Sequence, residues 1–353
     1  MEHSSWTTDD TVADSWAETV EGAVDRLLVA GDRRDGTRLW EAVRDTSGGG
    51  KRVRPRILLD TYDALAGAGA PEPREVALAV AAAVELLHHA FLVHDDVIDG
   101  DDVRRGRPNV AGAYAERARR SGADDRQAAG YGAAAGILAG DLALAGAVRA
   151  VALCGAAPAT TARLLDAVDE ALHLTADGEL ADVRLSLAPS ADLDEALRTA
   201  ERKTAVYSFQ LPLRAAVLLA GRDDLEPDVL RLGRALGLAF QLRDDLDGVF
   251  GDPTVTGKSN ASDLREGKGT PLVALAHGTW AWDELTTVLG NPAAGEPELQ
   301  RARDLLAACG ARAAVETLVA ELEAEARALG AELGLTAPVA RLVGAGTRAV
   351  SVA

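Results

Sequence analysis

Residues 85–102 read ELLHHAFLVHDDVIDGDD, an apolar helical pattern that runs directly into five carboxylates within eight positions. Four side chains recur at spacings of four, three and four residues, as one face of a helix requires: His88, Leu92, Asp95 and Asp99. Asp95 and Asp99 are therefore predicted to lie one turn apart on a shared face. A solvated acidic helix end is the alternative interpretation of such a charge run. The apolar residues before Asp95 favour instead a carboxylate pair at the mouth of an apolar core.

The same spacing by three and four continues along the chain and predicts a mostly or wholly α-helical fold. Residues 315–333 show it clearly, with apolar side chains that form one continuous helix face. Isoleucine occurs only three times, and no alternating strand pattern is bounded by hairpin turns. Clusters of Gly and Pro divide the sequence into roughly ten helical stretches.

Composition limits the class of protein. The chain has 353 residues, of which 48% are hydrophobic and 26% charged, as in a folded globular protein. Its net charge of −18 argues against nucleic acid as a partner, because phosphate backbones would be repelled. Residues 1–14 lack the apolar run of a secretion signal, and the apolar stretch 76–93 is interrupted by charged and histidine side chains. We expect a cytoplasmic protein that does not span a membrane, with a loosely ordered segment 1–15 and one helical domain over 16–353.

The first acidic cluster has the chemistry of a divalent-cation site. Mg²⁺ prefers oxygen ligands, and it usually takes one or two carboxylates together with phosphate oxygens of a substrate. Asp95 and Asp99 provide such a pair, and Asp96 flanks them. Three arginines follow between residues 104 and 107, and bidentate hydrogen bonds would let them grip the same phosphates.

A second acidic pair, Asp244-Asp245, also follows an apolar helical stretch, and Gln241 lies on the same helix face. By itself this pair is weak support for any function. Together with the first cluster it predicts metal-assisted chemistry on a phosphorylated substrate, with several ions holding one polyanion.

Lysine usage points to the same chemistry. Of 37 basic residues only four are lysines, namely Lys51, Lys203, Lys258 and Lys268. Each stands beside Gly or Thr in a short polar segment, where an ammonium group is able to reach a phosphate. Lys51 follows three glycines and precedes Arg52 and Arg54, but the Gly spacing is not that of a nucleotide P-loop. A flexible turn with solvated charges is the alternative for this segment.

Taken together, the motifs resemble the trans-polyprenyl diphosphate synthases, a family of head-to-tail prenyltransferases. The resemblance runs roughly from residue 45 to residue 275, with its motifs in the family's order: Gly49–Pro55, Glu85–His88, Asp95–Asp99 with Arg104–Gly106, Ile137–Asp141, Lys203–Thr204, Phe240–Asp245, and Gly257–Lys258 with Asp263–Lys268. It implies the isoprenoid synthase fold, a single large bundle of roughly ten or more helices around a central cavity. It also implies a homodimer.

The resemblance further implies a Mg²⁺-dependent condensation of isopentenyl diphosphate with an allylic diphosphate, with three ions per active site. Asp95 and Asp99 would bind two ions and Asp244 a third, with Asp96 and Asp245 close by. The allylic diphosphate would be held by Arg104, Lys203, Thr204, Gln241, Lys258 and Lys268. The diphosphate of isopentenyl diphosphate would be held by Lys51, Arg54, His88 and Arg105. The catalytic set implied by the family is Asp95, Asp96, Asp99, Asp244 and Lys203.

Two positions bear on product length and on the second metal motif. In this family the product length depends on bulk at the fourth and fifth residues before the first motif, here Phe91 and Ala90. The small Ala90 leaves space for a longer prenyl chain, and the aromatic Phe91 limits that space. The combination favours C20 geranylgeranyl diphosphate over C15 farnesyl diphosphate. The second motif commonly ends in Asp at its fifth position, where this chain has Gly248, with Asp247 one place early.

Three other classes of protein fit parts of the pattern. A class I terpene cyclase shares the aspartate-rich helix but needs no second diphosphate site, and Lys51, Arg54 and His88 speak against it. A non-catalytic partner subunit of a prenyl synthase would be expected to lose carboxylates from the first motif, which this chain keeps. A purely structural helical bundle has no need of two acidic clusters.

Overall fold

The computed structural model describes residues 19–28, 38–47, 51–67, 69–187, 192–251 and 262–345. Within these ranges the ordered backbone is almost wholly helical, which confirms the predicted all-α fold. The expected loosely ordered segment 1–15, the glycines at 48–50 and Lys258 lie outside the described residues.

The described residues form two compact units. One comprises residues up to Leu165 together with Leu219–Gly221, and the other comprises Asp166–Leu218 and the residues from Arg222 onward. One domain over residues 16–353 stays a prediction.

The first unit is built around one long helix. Its described elements are α1 (19–28), α2 (Leu39–Ser47), α3 (Val53–Leu65), α4 (Arg74–Asp99), β1 (Val103–Arg104), β2 (Arg107–Pro108), α5 (Val110–Arg120), α6 (Asp125–Ala152) and the start of α7 (Pro158–Leu187). Helix α4 packs against α3 and α6, and α5 packs against α6.

Helix α4 is the core helix of this unit. Every residue from 80 to 90 is buried, as expected for a helix that is apolar on all sides. The helix ends at Gly100, which adopts a left-handed conformation (φ 72°) and donates its N–H to the Asp96 carbonyl. The first aspartate motif therefore occupies the last turn of α4, where the core gives way to solvent.

Helix α6 has a small-residue side and an apolar exposed side. Its buried positions include Gly132, Gly136 and Gly140, and a Cβ at Gly140 would lie 2.3 Å from the His94 ring of α4. Its exposed positions include Tyr131 and Leu138, which are 49% and 54% exposed. Both α4 and α6 are long and apolar enough to cross a membrane, but 78% of that stretch is buried in α4 and 39% in α6.

A short antiparallel hairpin follows α4. Val103 pairs with Pro108, and Arg104 pairs with Arg107. The two-residue loop between them, Arg105-Gly106, has positive φ angles of 53° and 70°, which match the twist of a tight hairpin. Strands of two residues are too short to show an alternating pattern in the sequence.

The second unit is also helical in its described residues. It contains most of α7, then α8 (Leu193–Ala200), a π-helical segment (Glu201–Gln210), α9 (Leu211–Ala220) as far as Leu218, a 3₁₀ turn (Asp223–Leu225), α10 (Glu226–Phe250), α11 (Ser262–Glu266), α12 (Pro271–Ala276), α13 (Trp282–Leu285), α14 (Glu296–Ala308), α15 (Ala311–Glu332) and α16 (Thr336–Ala345). Helix α10 packs against the π-helical segment and against α15.

The core of the second unit lies between α10 and the C-terminal helices. Its buried members include Leu242, Leu264, Leu285 and Leu305. Helix α15 confirms the helix predicted over residues 315–333, with a buried face of Val315, Val319, Ala326 and Leu329. This packing fixes the C-terminal half of α10, which carries the second acidic pair.

Candidate active site

The first aspartate motif is held by the hairpin that follows it. Arg104 on β1 donates from Nε to Asp96 Oδ1 at 2.7 Å and from a terminal nitrogen to Asp95 Oδ2 at 3.1 Å. Asp96 is buried, Asp95 is half-buried and Asp99 is exposed. The structure therefore brings Arg104 and the first two aspartates together, with Asp99 one turn further along α4.

Asp96 is the buried member of the motif. Burial raises the pKa of its carboxyl to about 6, and the charge of Arg104 and their hydrogen bond oppose this rise. Asp96 is thus suited to hold Arg104 in place. Asp95 and Asp99, which are less buried, are the members better suited to bind a cation.

A set of cationic side chains adjoins the motif within the first unit. His88 is buried, and its pKa is lowered well below the usual range, chiefly by burial and then by the charge of Arg54, with further contributions from Arg104 and Arg105. The imidazole of His88 is therefore neutral at pH 7, with one N–H to donate. Lys51 lies at the surface. Three of the four residues predicted to hold isopentenyl diphosphate thus act on one another electrostatically, namely Arg54, His88 and Arg105.

The two positions predicted to set product length lie on α4 within one and a half turns of Asp95. Ala90 is fully buried, with no exposed surface, whereas Phe91 is half-buried. Their neighbour His89, which has no predicted role, is buried on the side of Arg52. The structure leaves the roles of Ala90 and Phe91 as predictions.

In the second unit, Lys203 contacts two acidic residues that sequence reasoning missed. Its Nζ donates to Glu179 Oε1 at 3.0 Å and to Asp182 Oδ2 at 2.7 Å, both on α7. Glu179 and Asp182 are three residues apart, the spacing that puts two side chains on one helix face. That spacing was a signal in the sequence, but nothing in the sequence links it to a lysine more than twenty positions away.

Lys203 lies in the π-helical segment, a type of wide turn often found at functional sites. Helix α7 approaches this segment so closely that a Cβ at Gly178 would lie 2.3 Å from the backbone nitrogen of Lys203. Only glycine fits there. The close approach brings the acidic pair of α7 within reach of the Lys203 ammonium.

A chain of hydrogen bonds orients Asp245, one member of the second acidic pair. The Thr204 hydroxyl donates to Gln241 Oε1 at 2.7 Å, and Gln241 Nε2 donates to Asp245 Oδ1 at 2.8 Å. Thr204 and Gln241 are both predicted to bind substrate, and in the structure they are hydrogen-bonded to each other. The pKa of the Asp245 carboxyl is raised well above its usual range, mainly by burial and then by Asp263.

Asp263 occupies the space next to Gly248, the position where the family commonly has Asp. A Cβ at Gly248 would lie 2.2 Å from Asp263 Oδ2. The charges of Asp182, Asp244 and Asp263 all oppose ionisation of Asp245. A carboxylate therefore stands beside the second motif although its fifth position lacks one.

The remaining two predicted lysines differ in what the structure describes. Lys268 Nζ lies 3.2 Å from Glu266 Oε2, at the end of α11. Lys258 lies outside the described residues.

The donor chemistry of both acidic clusters fits Mg²⁺. All candidate ligands are carboxylate oxygens, which this hard cation prefers. Mutual repulsion among the carboxylates around Asp245 would be relieved by a divalent cation. No three acidic, histidine or cysteine side chains converge closely enough for a metal ion among the residues that the structure describes. One or two protein ligands per ion, completed by phosphate oxygens, is the arrangement that fits.

The chain is similar in sequence to known prenyl diphosphate synthases. The sequence model of polyprenyl synthetases matches residues 37–306. The geranylgeranyl diphosphate synthase of Saccharolobus solfataricus is 32% identical over 263 residues, which is 73% of each chain. A (2E,6E)-farnesyl diphosphate synthase of Mycobacterium tuberculosis is 35% identical over 269 residues, covering 74% of this chain and 68% of its own.

A solved structure is similar along almost the whole chain. The geranylgeranyl pyrophosphate synthase of Corynebacterium glutamicum, complexed with isoprenyl diphosphate and magnesium, gives a TM-score of 0.85 at 30% identity. The match covers 92% of this chain and 97% of that one. The fold is therefore that of the isoprenoid synthases. The chain belongs to the polyprenyl synthetase family and is a prenyltransferase.

Proposed function

We propose that the chain condenses isopentenyl diphosphate with an allylic diphosphate and that its main product is C20 geranylgeranyl diphosphate. One structural observation carries the proposal beyond family membership. Arg104, which is bonded to Asp95 and Asp96, is also among the cations that lower the pKa of His88. Within the first unit a carboxylate set thus adjoins a cation set. The carboxylate set is Asp95, Asp96 and Asp99, and the cation set is Lys51, Arg54 and Arg105.

The two sets suit two different diphosphates. A carboxylate set needs a divalent cation before it holds an anion, whereas Lys51, Arg54 and Arg105 attract an anion directly. The metal-bound diphosphate is the one suited to leave, and the other is suited to stay attached to its substrate. A terpene cyclase, which acts on one diphosphate, has no use for the cation set.

Each acidic cluster has a proposed part in metal binding. Asp95 and Asp99 would hold two Mg²⁺ ions and Asp244 a third, with Asp96 and Asp245 as supports. When bound, Mg²⁺ supplies the Lewis acidity that stabilises negative charge on a departing diphosphate. The fixed positive charges of Arg104 and Lys203 would also stabilise the negative charge on that diphosphate.

The reaction needs no protein nucleophile. The allylic C–O bond breaks with its electron pair going to the diphosphate, and the resulting allylic cation is attacked by the double bond of isopentenyl diphosphate. A new C–C bond forms, and a proton passes to the released diphosphate. Meanwhile Lys51, Arg54 and Arg105 hold the second diphosphate, and neutral His88 donates its N–H.

Product length is proposed to be set on α4. Ala90 is small and fully buried, and the half-buried Phe91 adds bulk one turn before Asp95. Several relatives named as geranylgeranyl diphosphate synthases support a C20 product. The farnesyl diphosphate synthase of Mycobacterium tuberculosis keeps C15 as the second candidate.

The test is a panel of primers. Purified protein is incubated with Mg²⁺, isopentenyl diphosphate and, in turn, dimethylallyl, geranyl or farnesyl diphosphate, and products are identified by mass spectrometry. We expect a C20 diphosphate from every primer and none with EDTA. A product that stops at C15 would replace the C20 assignment. No elongation from any primer would favour a non-catalytic partner subunit.

We also propose that the enzyme is a homodimer joined through α6. The exposed side of α6 carries four large apolar side chains within twelve residues of helix, Tyr131, Ile137, Leu138 and Leu142. A second copy would cover this face, as expected for an exposed apolar patch of this kind. Light scattering should give twice the mass of 36.6 kDa for the wild type and the single mass for Leu138→Glu. A wild-type monomer would contradict the dimer.

A further inference from the structure

Arg52 lies inside the first unit, although its segment has the sequence of a flexible turn. Only 6% of the residue is exposed. One terminal nitrogen donates to Glu85 Oε1 at 2.8 Å and lies 3.2 Å from His89 Nε2. Because a guanidinium has no acceptor, His89 Nε2 must accept, and the ring proton lies on Nδ1.

The rest of the guanidinium is bonded in other directions. Its Nε donates to Glu21 Oε2 at 2.7 Å, and the second terminal nitrogen donates to Glu21 Oε1 at 2.6 Å and to the Ser47 carbonyl at 3.0 Å. All five N–H donors are therefore used. The side chain of Arg52 joins α1, the end of α2 and α4 to the start of α3.

The backbone of Arg52 is in the left-handed region, with φ 47° and ψ 43°. This conformation is unfavourable for a residue with a Cβ and persists only where surrounding contacts impose it. A buried ion pair such as Arg52–Glu85 is also weak support for stability, because an apolar pair of similar volume often serves as well. Both features point to a geometry that matters for function.

The residues on either side of this turn belong to the cation set. Lys51 directly precedes Arg52, and Arg54 follows in the first turn of α3. Arg54 acts on His88, and Arg52 itself contacts His89, the next residue of α4. The turn at Arg52 thus sets where the first turn of α3, with Arg54, begins relative to His88 on α4.

We propose that Arg52 is a positioning residue that, through Glu85 and Glu21, fixes the start of α3 so that Lys51 and Arg54 bind the diphosphate of isopentenyl diphosphate. The proposal rests on the proposed function. It assigns to Arg52 no contact with substrate. Its effect is specific to one of the two diphosphates.

Steady-state kinetics of Arg52→Lys and Glu85→Gln test this inference. Lysine keeps the charge but is unable to make five bonds in a plane, and glutamine keeps the shape of Glu85 without its charge. We expect KM for isopentenyl diphosphate to rise about tenfold in both variants, which is within the ~10²-fold loss that a displacement of about 1 Å can cause. KM for the allylic diphosphate and kcat at saturation should stay close to wild type. If Arg52→Lys does not fold, Glu85→Gln decides the matter.

Val151→Ala is the matched control. It removes buried volume from α6 in the same unit, at a site that is 2% exposed, without touching the Arg52 contacts. A similar rise in KM in this control would show that general loosening is responsible and would overturn the proposal. Unchanged KM values in both test variants would do the same.

Binding of inorganic diphosphate in EDTA separates this inference from the proposed function. Without divalent cations the carboxylate set repels the anion, so that calorimetry reports binding to the cation set. Tenfold weaker binding in Arg52→Lys, but not in Val151→Ala, is expected even if the wild type fails to elongate any primer. Equal binding in the wild type and Arg52→Lys would overturn the positioning role.

Discussion

The three aspartates of the first motif have unequal surroundings. Asp96 is buried under Arg104, and burial raises its pKa to about 6. Asp95 is half-buried and Asp99 is exposed, so both are more accessible to a cation than Asp96 is. Cation binding by Asp95 and Asp99, with Asp96 as the support of Arg104, stays a prediction.

Replacement of Asp95 tests this division. Asp95→Asn keeps the size of the side chain but removes the negative charge, and we expect turnover to fall by at least ~10²-fold, the scale of a lost charge-stabilising group. Circular dichroism should show unchanged helical content. Asp63→Asn, the same change at a surface ion pair with Arg74, is the control and should leave turnover close to wild type. Substantial activity in Asp95→Asn would place the metal site elsewhere.

The buried His89 makes stability depend on pH. Burial lowers its pKa from 6.5 to about 4 in the folded chain, with Glu85 opposing and Arg52 assisting. The unfolded chain therefore binds a proton at a higher pH than the folded chain does. The stability contribution is fully present above pH 6.5 and is lost as the pH falls from 6.5 towards 4, by about 3 kcal/mol in total.

Urea unfolding at pH 7 and pH 5 checks this prediction. His89→Gln keeps an acceptor for Arg52 but has no proton to gain, so its loss of unfolding free energy should be smaller than that of the wild type by about 2 kcal/mol at pH 5. His173→Gln removes an exposed histidine of α7 and should retain most of the wild-type loss. Parallel losses in the wild type and His89→Gln would contradict the prediction.

At the scale of elements, α4 and α10 were predictable because each carries a long apolar pattern that ends in acidic residues. The hairpin after α4 was not, since its strands have two residues each. The π-helical segment was not either, because in ten residues its slightly longer period is not distinguishable from that of an α-helix. Glu179 and Asp182 were missed for a different reason: their partner Lys203 is reached only through packing of α7 on the π-helical segment.

The position of Phe91 on α4 leads to a prediction of product length. Phe91→Ala removes an aromatic ring one turn before Asp95, and we expect the product to lengthen by at least one isoprene unit. Mass spectrometry of the diphosphate products measures this directly. Val93→Ala, a truncation at a buried position of the same helix, is the control and should leave the product at C20. An unchanged product in Phe91→Ala would remove Phe91 from the wall of the chain-length pocket.

The close approach of α7 to the π-helical segment leads to a second prediction at this scale. Gly178→Ala places a Cβ 2.3 Å from the Lys203 backbone nitrogen, so the segment must shift. We expect a loss of about 2 kcal/mol in unfolding free energy, a typical cost of overpacking, and a higher KM for the allylic diphosphate. Denaturant unfolding and initial-rate kinetics measure the two effects.

Gly22→Ala is the control for this substitution. Gly22 is also helical, but its nearest neighbouring atom would lie 3.7 Å from a Cβ, at the end of the flexible Arg26 side chain. Alanine favours a helix over glycine by up to about 1 kcal/mol, so this variant should be at least as stable as the wild type. If Gly178→Ala behaved like Gly22→Ala in both measurements, the packing of α7 would not position Lys203.

At the scale of the whole molecule, the sequence predicted a folded globular protein and its all-α fold class. It did not predict which side chains pair with each other when they are far apart in the sequence. Arg52 pairs with Glu21 and Glu85, which lie 31 and 33 positions away, and no local pattern marks these pairs. A flexible turn with solvated charges was the alternative for the segment that contains Arg52, whereas Arg52 is buried and uses all its N–H donors. Motif order, by contrast, led directly to the family.

The most direct test follows labelled carbon through the reaction. Isopentenyl diphosphate carrying five ¹³C atoms is incubated with unlabelled farnesyl diphosphate, Mg²⁺ and the purified chain, and the products are weighed by mass spectrometry. We predict a C20 diphosphate that contains one labelled unit, together with released inorganic diphosphate. An unlabelled hydrocarbon formed from farnesyl diphosphate alone, or no product that carries label, would contradict head-to-tail prenyl transfer.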